Sequence, residues 1–109
     1  MEMINLTSHP VRISTEGKIF EIKPSGTVAR LIERYGQHRK VTADGEKITI
    51  VPVKNVDIFG LPNPKPQTYY IVSSMVAFHA KRKDVLCPGE FIKDTRGKII
   101  ASKWLLSTV

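Results

Sequence analysis

The sequence has a single cysteine, Cys87, which excludes an internal disulfide and fits a reducing compartment. No apolar run approaches the roughly 20 residues that a membrane-spanning helix needs, and no basic, apolar leader opens the chain, so a cytoplasmic protein is expected. Glycines stand singly, which leaves no G-x-x-x-x-G-K loop to cradle phosphates. No His-x-His, Cys-x-x-Cys or His-Glu-x-x-His spacing occurs, so His9, His38 and His79 do not predict a metal site, and no cofactor is expected. Paired carboxylates are missing too: Asp84, Glu90 and Asp94 fall in a turn-rich stretch, where acids serve turns and solvation. Aromatics are 7% of residues, and only Tyr35 adjoins a basic cluster, too little for a base-stacking platform. There is no repeat and no low-complexity tract.

What the sequence does have is the composition of one globular domain: 109 residues, 41% hydrophobic and 25% charged. A chain this size buries roughly 60–70% of its unfolded surface, enough for a core without staples. The net charge is +7 with an isoelectric point near 9.8, which points to an acidic partner, protein or nucleic acid. The excess is spread over the chain and not held in a tail.

The longest apolar run lies in Thr68–Lys83. Tyr69–Val72 is β-branched and aromatic, and from Ser74 the residues turn to helix formers, so this segment reads as a buried strand running into one short helix near Ser74–Arg82. Met3–Leu6 reads as a short strand ended by His9-Pro10. Glu16-Gly17, Asp44-Gly45 and Thr95–Gly97 each carry hairpin chemistry between strand-forming runs. Phe59–Gln67, with three prolines in five residues, reads as a stiff extended connection into the Thr68–Lys83 segment. Val28, Leu31, Ile32 and Tyr35 share a helical stripe, but neither Ser25 nor Thr27 sets up a capping box, so helix and strand stand level over 27–35. The fold predicted is mainly β, bordering on α+β: a small antiparallel barrel or sandwich with one short helix. Its expected core is Phe20, Ile22, Ile48, Ile50, Ile71, Met75, Phe78, Ile100 and Leu105.

Several motifs occur in a fixed order: Asn5-Leu6-Thr7 with His9-Pro10-Val11; Pro24-Ser25-Gly26-Thr27-Val28-Ala29-Arg30; Gly60-Leu61-Pro62; Tyr70-Ile71-Val72-Ser73 with Val76-Ala77; and Asp84 through Pro88-Gly89 to Asp94, Gly97 and Ile99-Ile100. With these the chain resembles a family of small bacterial and bacteriophage proteins with no established activity. The resemblance spans nearly the whole chain. It implies a strand over Val28–Ile32, and through its phage members a counter-defence or host-takeover role. It implies no cofactor and no site residue. The basic Tyr35–Lys40 segment departs from the family pattern.

Two kinds of chemistry are conceivable. Cys87 with His79 is the one nucleophile–base pair available to a small hydrolase or transferase, although no signature surrounds the cysteine and a lone cysteine is more often a small buried hydrophobe. The other is a partner-binding surface made from two basic clusters: Arg34, His38, Arg39 and Lys40, then Lys81, Arg82 and Lys83 at a helix end, where the helix dipole alone favours cations. The reading favoured by the residues is a non-enzymatic protein that engages an acidic host macromolecule through these solvent-facing clusters. A small enzyme and a sequence-nonspecific nucleic-acid binder are the alternatives.

Overall fold

A computed structural model describes the whole chain, Met1 to Val109. In chain order the elements are β1 (Glu2–Asn5), β2 (Val11–Thr15), β3 (Lys18–Ile22), β4 (Arg30–Tyr35), β5 (Arg39–Ala43), β6 (Glu46–Ile50), β7 (Val53–Phe59), β8 (Thr68–Ile71), α1 (Ser74–Ala80), β9 (Val85–Lys93) and β10 (Ile99–Ser107). The protein is mainly β with one short helix, and its six-stranded sheet, ordered β1-β8-β9-β10-β2-β3, is nearly closed into a barrel. No helix is long and apolar enough to cross a membrane.

Local chemistry builds the hairpins. Glu16-Gly17 and Asp44-Gly45 both place their two residues at positive φ, as a type I′ turn requires, and they join β2 to β3 and β5 to β6. Asp94 closes the β9–β10 turn by accepting from the backbone amides of Arg96 and Lys98. These antiparallel units are then joined by parallel ladders, β1 with β8, β8 with β9, and β10 with β2. Parallel neighbours need a crossover, and α1 supplies the one between β8 and β9.

β8 is the hub. Tyr70 and Val72 lie in a core with Leu6, Ala29, Val76, Ala77, Val85 and Cys87 on the helix side. Ile71 points the other way and meets Val11 and Ile22 inside the barrel. A strand covered on both faces reads as a continuous apolar run, which is how Tyr69–Val72 reads. The barrel closes where β1 ends: Asn5 bridges Pro24, its carbonyl accepting from the Ser25 amide at 2.9 Å.

The core expectation holds at Ile22 and Ile71, both buried, and in part at Ile50, Ile100 and Leu105, which are half-buried. It fails at Phe20, Ile48, Met75 and Phe78, all exposed. The helical error has a clear cause. Two stripes compete on α1: Met75 with Phe78, and Val76 with Ala77 and Ala80. The barrel wall admits the second, whose smaller side chains let the helix approach closely, and leaves Phe78 60% exposed. Phe78→Ala is therefore expected to change the unfolding free energy by less than about 1 kcal/mol in urea titration, where a buried phenylalanine would lose about 3–5.

The radius of gyration is 18.1 Å and the extents are 57 × 40 × 25 Å, against about 13 Å for a compact domain of this length. The excess comes from residues 30–59. β4 pairs with β7, and beyond a break bridged by the Gly36 amide to the Pro52 carbonyl at 2.9 Å, β5 pairs with β6. Together they form a long two-stranded arm. Its base is anchored where Leu31 and Ile58 pack on the helix-side core. Gly60, at φ +83°, brings the returning chain so near that a Cβ there would lie 2.7 Å from the Val28 carbonyl oxygen. The 27–35 segment is thus strand over Arg30–Tyr35, later than the Val28–Ile32 that the family resemblance implies, and Ala29 ahead of it is buried with its amide donating to the Leu6 carbonyl.

Candidate functional site

The first basic cluster runs up the arm. Arg34 lies on β4, His38 in the break, and Arg39 and Lys40 begin β5; all are exposed. Arg34 is occupied, its Nε donating to Asp57 Oδ2 across the ladder at 2.9 Å. Arg39 and Lys40 form no ion pair. Nearby, the Tyr35 hydroxyl donates to Glu33 Oε2 at 3.1 Å, and this bond with the adjacent negative charge raises the phenol's pKa above its ordinary value.

The strand register sorts the tip of the arm into two faces. Opposed residues share a face and successive ones alternate. Arg39 opposes Ile50, Val41 opposes Ile48 and Ala43 opposes Glu46; on the other side Lys40 opposes Thr49 and Thr42 opposes Lys47. One face is therefore apolar with a charge at each end, and the other carries Lys40, Thr42, Lys47 and Thr49. Sequence reasoning missed Lys47 as a companion of Lys40, although the Asp44-Gly45 turn sets the register that pairs them.

The second cluster is different from what its sequence suggests. Lys81 caps α1 in the left-handed region, its amide reaching the Ala77 carbonyl at 3.2 Å, and it and Lys83 are exposed. Arg82 is not a free cation. Its Nε and Nη2 donate to the two carboxylate oxygens of Asp84 at 2.9 and 2.6 Å, and Nη1 donates to the Pro62 carbonyl at 3.0 Å. The Asp84 hydrogen bonds raise the guanidinium's pKa and hold the Asp84 carboxyl below its ordinary value. Arg82 is a clamp tying the Leu61–Pro66 connection to the start of β9, and the expectation that it faces solvent is corrected. No hydrogen bond, ion pair or strand ladder links this cluster to the arm.

Cys87 lies wholly inside the helix-side core, and burial raises the thiol's pKa. A nucleophilic cysteine needs the thiolate and access to it; Cys87 has neither, and His79 sits exposed on α1. No three of His, Cys, Asp and Glu gather closely enough to hold a metal ion. A cleft of about 360 Å³ opens between the arm base and α1, lined by Leu6, Val28, Leu31, Met75 and Val76 with Arg30 and Glu33 at its edge.

No protein-family model, curated protein or solved structure matches this chain.

Proposed function

We propose that the protein is a non-enzymatic binding protein whose arm engages an acidic protein of its host. The observation that carries this reading is the arm itself: two strands held clear of the barrel, with Arg39, Lys40 and Lys47 unpaired on its outer half and Tyr35, Val53 and Phe59 exposed along its inner half. Basic groups steer an acidic partner and set the register, while apolar area supplies the affinity. The combination suits a protein surface better than a nucleic acid, for which stacking aromatics or base-reading side chains are the usual addition. The resemblance to phage proteins supports a more specific form, an inhibitor acting in counter-defence or host takeover.

The test compares the wild type with Lys40→Glu plus Lys47→Glu against the partner captured from the host. The double variant should keep the wild-type melting profile, since both side chains are exposed. It should bind at least about tenfold more weakly, a loss of about 1.4 kcal/mol, with most of the change in the association rate at low salt. Equal binding by wild type and variant would defeat the reading. A log–log salt dependence of about 0.9 per contacted phosphate, indifferent to sequence, would replace the protein partner with duplex DNA.

A further inference from the structure

We infer that the apolar face of the β5–β6 hairpin stacks end for end on the same face of a second copy of this chain, about a two-fold axis. Val41, Ala43, Ile48 and Ile50 share this face, and β5 and β6 form ladders only with each other. A two-stranded hairpin in water is marginal until its apolar face is covered. Nothing in the barrel covers this one, since Val41 and Ile48 remain exposed.

The charges on the face identify the occupant. Arg39 stands at its base and Glu46 at its tip, on opposite strands, and neither has an ion-pair partner within the chain. An isologous interface requires a patch complementary to itself. End-for-end stacking lays the base of one hairpin over the tip of the other, so Arg39 of each copy comes within side-chain reach of Glu46 of its mate, twice per dimer. The midpoint of the face, Val41 opposite Ile48, then lies on the axis. Side chains of this size fill the roughly 10 Å spacing at which sheets stack. Lys40 and Lys47 point away from the stack, so the dimer would carry their basic face on both sides.

Sedimentation equilibrium from low to high micromolar concentration tests this. The wild type should show a monomer–dimer equilibrium, and Ile48→Asp should weaken it at least about tenfold, a desolvated charge having no partner at the axis. Arg39→Glu alone and Glu46→Arg alone should each weaken it by a similar factor, because like charges then meet twice. The combined Arg39→Glu plus Glu46→Arg restores opposite charges and should recover wild-type dimerisation to within about threefold. Lys40→Glu plus Lys47→Glu should leave the dimer intact, which separates this proposal from the binding of an acidic partner. Thermal melts check that each variant keeps its barrel. A monomer at every concentration overturns the proposal, as does a dimer indifferent to Ile48→Asp, or a charge-swapped variant no stronger than its single parents.

Discussion

Asn5→Ala is expected to lower the unfolding free energy by about 3–5 kcal/mol, among the largest losses any single substitution produces. Asn5 is 1% exposed at the end of β1, where the barrel closes. Its Nδ2 donates to the His9 carbonyl at 2.8 Å and to the Ile22 carbonyl at 3.0 Å. Its Oδ1 accepts from the Thr7 amide at 2.9 Å and the Thr7 hydroxyl at 2.6 Å. One amide thus holds the turn leaving β1 and the end of β3 together, and every polar atom of it is satisfied. Removing it strands several groups, each costing about 1–3 kcal/mol where water cannot reach. The Ile22 bond is fully buried, while those to Thr7 and His9 are only partly so, which keeps the total below the simple sum. Asn5→Asp provides the control: the shape is kept, both donations are lost and a charge is buried, so it should do no better than alanine. Urea unfolding gives the answer, and a loss under about 1 kcal/mol for both variants would mean that the seam carries no stability.

Arg82→Met should cost about 2–4 kcal/mol and should flatten the acid limb of the stability profile. Removing one member of a buried ion pair costs about 3–5 kcal/mol. Here the side chains are 25% and 17% exposed, so the upper part of that range is out of reach. The sign of the pH effect follows from the Asp84 carboxyl, whose pKa in the folded protein lies below its ordinary value, chiefly through the Arg82 hydrogen bonds. The stability it contributes is fully present above the unfolded pKa of about 4 and is lost as pH falls through the lower, folded value. Wild type should therefore lose stability on acidification below about pH 4, more steeply than Arg82→Met. Parallel profiles for the two proteins would show that the pair contributes nothing beyond packing.

The sequence was legible wherever the deciding chemistry is local. Glu16-Gly17 and Asp44-Gly45 announce their turns because positive φ at two successive residues selects few residue types. Tyr69–Val72 announces a strand covered on both faces. What could not be read is which apolar residues find something to cover them. Ile48 and Phe20 alternate as core residues do, yet Ile48 stands on an arm with no body beneath it, and Phe20, on the same face of β3 as the buried Ile22, lies on the last strand of the sheet and stays exposed. Arg82 was misread as a solvent cation because Asp84, two residues on, looks like part of the same polar turn. The Pro62 carbonyl that completes the clamp arrives from a distant connection. Asn5 carries a visible signal, Asn-x-Thr being suited to a side chain that closes its own turn, but its bond to Ile22 depends on barrel closure.

The narrow neck of the arm also bears on the order in which the chain folds. β1 must find β8, and β2 must find β10, partners that lie on the far side of the arm in sequence. Closing a flexible loop on the order of 30 residues costs about 3 kcal/mol of chain entropy. The β4–β7 hairpin, local and closed at Gly60 against Val28, brings the two halves of the barrel together once it zips, so the later non-local pairings search across a short gap. Slowing the arm's own closure, as Gly60→Ala would, is then expected to slow refolding of a barrel that the arm's outer strands never touch.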